Sequence, residues 1–166
     1  GILKILKNNK TQIKLTVIDK KKEFDEYEYN VDSNKYFYPA STVKLPIALF
    51  AIEKLNENKY LSIDTPFMLE DDTLKTTIRR ELEKIFILSD NQANNRLFEF
   101  LGQDYINQKF ISKGLNESRI FHRLSTKNSS NLNGKRVDFF LDDSIISFQN
   151  KNNTPALSLI HISEPT

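Results

Sequence analysis

Two residue types that can act together as nucleophile and base stand three positions apart in Ser41-Thr42-Val43-Lys44. Residues i and i+3 share one face of a helix, so the Ser41 hydroxyl and the Lys44 amine can share a hydrogen bond. Burial would lower the pKa of Lys44 from about 10.4, because desolvation disfavours the ammonium form. The free amides and positive dipole end of a helix N-terminus would stabilise an oxyanion beside Ser41. The segment therefore predicts Ser41 as a nucleophile with Lys44 as its base.

The same segment also fits a structural role. Ser41 would then cap a helix, and Lys44 would be a solvated residue of its first turn. Roughly one Ser-x-x-Lys match is expected by chance in a chain of this length. Pro46 adds a geometric complication, because it biases Leu45 away from helical geometry and can delay the regular helix by one turn. Both interpretations stay open at this point.

A second polar segment, Ser89-Asp90-Asn91, lies in the break between two helical patterns. A loop held by rigid helices is a favourable place to present polar side chains. The alternative is again capping, because Ser, Asp and Asn are all favoured at helix N-termini and one of them must cap the helix that includes Gln92. The tripeptide by itself is compatible with both roles.

Hydrophobic patterning predicts the elements that must position these two segments. Residues 2–8 fit a short helix, and residues 12–19 alternate as expected for a half-buried strand. A second alternating stretch at 27–31 predicts the antiparallel partner of that strand. The nearly all-apolar pattern from Ser41 to about Asn58 predicts a core helix that is buried on most sides.

The second half of the chain continues the helices and then returns to strands. Helical spacing is expected over residues 78–101, interrupted at the second polar segment, and again up to Gly114. Gly102 and Gly114 stand where left-handed helix caps belong. Two strand-like runs follow at 137–141 and 144–148. Strands, helices and then strands predict one α/β domain with helices packed on an antiparallel sheet.

Composition excludes several classes of function. The 166 residues contain no Cys and two His, which excludes a thiolate nucleophile and makes His-rich metal sites unexpected. The four glycines are too scattered for a phosphate-binding loop. A net charge of +2 leaves no surplus for nucleic acid, and no apolar run is long enough to cross a bilayer. We therefore expect no metal, no cofactor, no nucleic-acid partner and no membrane span.

Together, the two polar segments resemble the serine β-lactamase and penicillin-binding family, most closely its class A-like serine hydrolases. The likeness includes the flanks, Tyr38-Pro-Ala-Ser-Thr-Val-Lys-Leu-Pro-Ile-Ala48 and Leu88-Ser-Asp-Asn-Gln-Ala-Asn-Asn-Arg-Leu97. It runs from about Gln12 to Leu124. The resemblance implies a β-lactamase/transpeptidase-like fold, in which a proline two residues after the lysine is tolerated.

The resemblance also implies a role for each polar residue. Ser41 would be the acylated nucleophile, Lys44 its general base, and Ser89 a proton shuttle to the leaving group. Asn91 would bind the substrate amide, and Asp90 would hold the loop. The implied activity is acyl transfer from an amide, a β-lactam or a cell-wall peptide, without a cofactor and in the periplasm or at the cell surface.

Two departures from the family pattern limit the implied activity. The third family element, Lys or His followed by Thr or Ser and then Gly, does not occur, since the Lys-Thr pairs at 10–11 and 75–76 precede other residues. That element helps to form the oxyanion hole, where one lost donor costs about 10² to 10³ in rate, so we expect the chain as written to be inactive. The Glu-x-x-Leu-Asn segment that supplies the deacylating base is missing too, because residues 121–128 hold no carboxylate and Glu117 lacks the right followers. Fast β-lactam hydrolysis is therefore not expected.

Two rival interpretations follow from these observations. A non-catalytic domain would keep the scaffold and still recognise cell-wall peptide. Alternatively, both segments would be helix caps in an unrelated helical domain. Of the remaining polar residues, His122 is expected to be a packed or surface residue, and the pairs Asp71-Asp72 and Asp142-Asp143 to be turn or cap residues without a metal.

The two ends are expected to reflect processing or fragmentation. The chain begins with Gly1 and shows no leader pattern, and Leu157–Thr166 looks like a translated sequencing-library adapter. We therefore expect a partial family domain over residues 1–156, truncated at the C-terminus and at the N-terminus, followed by an adapter-derived tail over 157–166. His161 would then have no function.

Overall fold

The computed structural model describes residues 1–8, 11–21, 24–32, 38–127 and 129–150. The chain forms two compact units, Gly1–Phe37 and Tyr38–Thr166. The prediction of an adapter-derived tail falls on residues 157–166, which lie outside the described residues, as do Lys10 and Asn128.

The first unit contains a short helix and a two-stranded antiparallel ribbon. Helix α1 covers Ile2–Asn8, strand β1 covers Ile13–Ile18 and strand β2 covers Phe24–Tyr29. β1 and β2 pair with Leu15 opposite Tyr27, as the alternation predicts. The prediction of a half-buried strand is wrong, because all six residues of β1 are exposed. A two-stranded ribbon has no second layer of its own to cover either face.

Four α-helices are described in the second unit: α2 (Lys44–Asn56), α3 (Ile78–Leu88), α4 (Asn91–Leu101) and α5 (Gln103–Ser112). A 3-10 turn precedes α2, so the regular helix begins after Ser41. Pro46 then falls in the first turn, where its missing N–H leaves no helical bond unmade. Gly102 and Gly114 follow helix ends with φ of +79° and +76°. Among the described residues, no helix is long and apolar enough to span a membrane.

The described part of the second unit also holds a four-stranded antiparallel sheet in the order β4-β3-β5-β6. Its strands are β3 (Pro66–Leu69), β4 (Thr76–Thr77), β5 (Arg136–Phe140) and β6 (Ile145–Gln149). The sequence predicts β5 and β6. It does not predict β3 and β4, because strands of 4 and 2 residues are too short to show a clear alternation.

Aromatic side chains join the sheet to the helices. Phe139 of β5 lies opposite Phe67 of β3, and its ring centroid is 5.1 Å from that of Phe100 on α4. Phe50 of α2 meets Phe110 of α5 edge to face, with centroids 5.2 Å apart. All five rings are buried. The prediction of an α/β fold with helices packed on an antiparallel sheet is therefore confirmed.

Candidate active site

Ser41 lies in the 3-10 turn Ala40–Val43 that leads into α2. The backbone N–H and the hydroxyl of Thr42 both donate to the Pro39 carbonyl oxygen, at 3.1 and 2.6 Å, and so close the turn. Ala40 has a left-handed backbone, with φ +46°, which costs a non-glycine residue roughly 1–2 kcal/mol. Ser41 itself is exposed. The turn therefore presents an accessible hydroxyl at the start of the core helix.

Lys44, the first residue of α2, is buried, with 4% of its surface exposed. Its Nζ atom lies 3.2 Å from Ser41 Oγ, 2.9 Å from Ser89 Oγ and 2.5 Å from the Ser89 carbonyl oxygen. An ammonium group has three N–H donors, so these three oxygens satisfy it. Burial lowers the pKa of Lys44, while the charge of Asp90 acts in the opposite direction. Lys44 is therefore placed to exchange a proton with either serine.

Ser89 completes a triangle of polar atoms. It follows α3 directly as the C-cap residue, with a left-handed φ of +52°, so its carbonyl is one of those that a helix end leaves without a partner. Its hydroxyl donates to Ser41 Oγ at 3.1 Å. Ser41, Lys44 and Ser89, which the sequence selects from two distant segments, thus contact one another.

Asp90 and Asn91 begin the next helix. The Asp90 carboxylate accepts from the backbone N–H of Ala93 at 2.8 Å, which is the expected N-cap geometry of α4. Asp90 thus has the structural position predicted for it. The Asn91 side chain turns to a different partner, because its Nδ2 atom donates to Ser125 Oγ at 2.8 Å.

Ser125 is a residue that the sequence analysis did not select. It is exposed, and its backbone is left-handed, with φ +49°. Ala40, which precedes Ser41, and Ser89 also have a left-handed backbone. Such strained positions cluster at functional sites. No local sequence pattern predicts a role for Ser125, but the helix residues that hold its segment have a regular spacing in the sequence.

Those residues form a polar stripe on α4, consisting of Asn91, Asn95 and Glu99, which stand four positions apart and therefore share one helix face. Asn95 receives the Leu124 N–H on its Oδ1 atom and donates to the Leu124 carbonyl oxygen, each at 2.8 Å. Glu99 forms a buried ion pair with Arg123. The α4 stripe thus binds Arg123, Leu124 and Ser125 in order.

Arg123 also binds later residues of the loop. Its Nη1 atom donates to the Asn131 carbonyl oxygen at 2.8 Å and its Nη2 atom to that of Asn133 at 3.2 Å. His122 stays outside the polar triangle, with Nδ1 3.0 Å from the Arg123 carbonyl oxygen. Residues 121–127 contain no carboxylate, so this segment offers no acidic side chain.

Asp72 has the structural role expected of it. Its carboxylate accepts from the Leu74 backbone N–H at 3.0 Å and from Arg96 Nε at 3.1 Å. These bonds lower the pKa of Asp72. Asp72 therefore fixes the turn after β3.

Comparison with known proteins supplies an independent line of evidence. The model of one family, described as the beta-lactamase enzyme family, matches residues 2–156. No curated protein and no solved structure matches the chain. The match spans both polar segments and nearly all of the described residues, and it shows that the interpretation as an unrelated helical domain is wrong. Because this match covers most of the chain, the chain belongs to the beta-lactamase enzyme family.

Proposed function

We propose that this chain carries the acylation machinery of an acyl-transfer serine hydrolase, in which an amide substrate acylates Ser41. The observation that carries the proposal is the triangle of Ser41, Lys44 and Ser89, whose sides measure 3.2, 2.9 and 3.1 Å. Proton transfer is possible over distances of this length. Membership of the beta-lactamase enzyme family supports the same chemistry.

The central step is the formation of an acyl-enzyme. Neutral Lys44 accepts the Ser41 hydroxyl proton while Ser41 Oγ attacks the carbonyl carbon. Ser89 gives its proton to the leaving nitrogen as the C–N bond breaks, and Lys44 returns a proton to Ser89. The balance is one new ester bond at Ser41 and one proton moved to the leaving amine. The lowered pKa of Lys44 supports this step, because it increases the fraction of neutral amine.

The substrate class follows from the family resemblance. We assign a β-lactam or a cell-wall peptide as the acyl donor, met in the periplasm or at the cell surface, with no cofactor. Asn91 is proposed to bind the amide of the acyl group. The position of Asn91, two residues after Ser89 at the start of α4, supports this role because a helix terminus holds it in a fixed place.

Covalent labelling tests the proposal. The protein expressed from its native gene is incubated with a fluorescent penicillin and, separately, with an acyl-D-alanyl thioester, and the adduct is located by peptide mass spectrometry. We expect one adduct, on Ser41, that disappears in Ser41→Ala. Ser144→Ala is the matched control, because it removes another exposed serine. No adduct with either probe, or an adduct that persists in Ser41→Ala, contradicts the proposal.

A second candidate function is non-catalytic binding of cell-wall peptide on the same scaffold. Two observations favour it: the 166 residues contain no Lys-Thr-Gly element, and residues 121–127 contain no carboxylate. Titration calorimetry with a soluble muropeptide separates the two candidates. A binding domain keeps its affinity in Ser41→Ala and forms no adduct, whereas the proposed hydrolase is acylated.

A further inference from the structure

Ser125 lies beside the proposed site but has no part in the proton transfers described above. The residue is exposed, and its hydroxyl accepts the hydrogen bond from Asn91 Nδ2 at 2.8 Å. Its backbone is left-handed, with φ +49°, where glycine would fit without strain. The chain has a serine there instead. The strained position thus carries a hydroxyl, and this hydroxyl binds Asn91.

The neighbours of Ser125 fix its position. Asn95 binds both backbone polar groups of Leu124, and Leu124 is buried. Arg123, which precedes Leu124, is held by its buried ion pair with Glu99. Because three consecutive residues are bound by three positions of one rigid helix, the Ser125 hydroxyl meets Asn91 in a fixed register.

The hydrogen bond from Asn91 to Ser125 restricts an otherwise free side chain. Asn91 is only partly buried and stands at the first position of α4, where several side-chain rotamers fit. One Nδ2 proton is used by Ser125. The second Nδ2 proton and both lone pairs of Oδ1 stay available for a ligand. A side chain that is held in one rotamer before binding loses less conformational entropy when it binds.

We propose that Ser125 is a positioning residue that holds the Asn91 side chain in the rotamer that receives the substrate amide. This inference rests on the proposed function, in which Asn91 binds that amide. The bound segment 123–125 thus acts on the substrate through Asn91, and it sets the affinity for the acyl donor instead of the rate of the chemical step.

Acylation kinetics give the first test. In Ser125→Ala and Ser125→Gly, we expect the penicillin concentration at half-maximal acylation rate to rise about threefold to tenfold, the effect of one ordinary hydrogen bond. The maximal acylation rate stays unchanged. The two variants differ in backbone strain but both lack the hydroxyl, so equal effects assign the loss to the hydroxyl. Ser130→Ala, which removes another exposed serine of the same loop, is expected to behave like the wild type.

A double-mutant cycle and an NMR measurement complete the test. Adding Ser125→Ala to Asn91→Ala should cause no further loss if Ser125 acts through Asn91. In the ligand-free protein, the side-chain ¹H–¹⁵N signals of Asn91 should shift in both Ser125 variants and not in Ser130→Ala. Unchanged Asn91 signals overturn the inference even in a protein that no probe acylates. Failed acylation of the wild type, by contrast, contradicts the proposed function alone.

Discussion

Lys44 and Ser89 stand 45 positions apart, yet Lys44 Nζ contacts both the hydroxyl and the carbonyl oxygen of Ser89. The carbonyl belongs to the residue that caps α3, and such carbonyls need a donor from outside the helix. Lys44 supplies that donor. The proposed base of the reaction is therefore also part of the junction between α3 and α4, which explains how a single side chain can be both buried and satisfied.

Ser89→Ala should separate the two contacts. The variant loses the proposed proton shuttle but keeps the carbonyl contact, so we expect acylation of Ser41 to slow by about 10² to 10⁴, the usual contribution of a positioned acid–base group. The thermal unfolding midpoint should change little. Stopped-flow fluorescence with a labelled penicillin measures the rate, and Ser144→Ala serves as the control. A rate equal to that of the wild type removes Ser89 from the mechanism.

The pH dependence of acylation should identify the base. Because neutral Lys44 is the proposed base, the rate should rise as pH increases through the lowered pKa of Lys44. The charge of Asp90 raises that pKa, so Asp90→Asn should lower it further and shift the rising limb to lower pH. Asparagine caps helices about as well as aspartate, so the fold should be kept. A limb that moves to higher pH, or does not move, contradicts the assignment.

Lys54 gives a pH-dependent stability that is independent of activity. Its Nζ atom donates to the carbonyl oxygens of Phe100 and Leu101, at 2.7 and 2.8 Å, and burial lowers its pKa to about 8. The unfolded chain, with the ordinary value of 10.5, binds more protons between these two pH values. The free energy of unfolding should therefore rise with pH from about 8 to about 10.5.

Lys54→Met is the variant that tests this assignment. Other groups also contribute in that range, including Tyr105, whose pKa is about 12 in the folded protein because of burial and its bond to Glu57, and has the ordinary value of 10.0 in the unfolded chain. The difference in unfolding free energy between the wild type and Lys54→Met removes their contribution. We expect the wild-type value minus the Lys54→Met value to increase with pH across the interval, as measured by urea unfolding. A constant difference would show that Lys54 keeps an ordinary pKa.

The sequence predicts much of the fold because its helices carry strong apolar periodicity. It does not predict β3 and β4, since both strands are short and β3 pairs with the distant strand β5. The polar triangle was predictable because nucleophile and base lie one helical turn apart and the loop residues are distinctive. The role of Ser125 was not predictable, because its contact with Asn91 joins residues that lie 34 positions apart in the sequence. Its only sequence signal is the i, i+4, i+8 spacing of Asn91, Asn95 and Glu99.

The buried ion pair of the α4 stripe should contribute far more to stability than an exposed one. Arg123→Met leaves the Glu99 carboxylate buried without its cation and should reduce the free energy of unfolding by about 3–5 kcal/mol. Arg79 pairs with Asp64 in a bidentate geometry, but both side chains are exposed. Arg79→Met is the matched control, and it should cost much less. Equal losses in urea unfolding would show that the α4 stripe does not hold the loop.

The last prediction concerns the lifetime of the acyl-enzyme. Hydrolysis of an ester at Ser41 needs a base that activates water, and residues 121–127 of the loop bound by the α4 stripe hold no carboxylate that could do so. Acylation should therefore outpace deacylation. Mixing the protein with excess penicillin should give a burst of about one equivalent followed by slow turnover, and the adduct mass should persist after the excess probe is removed. Steady turnover without a burst would require a base outside this loop.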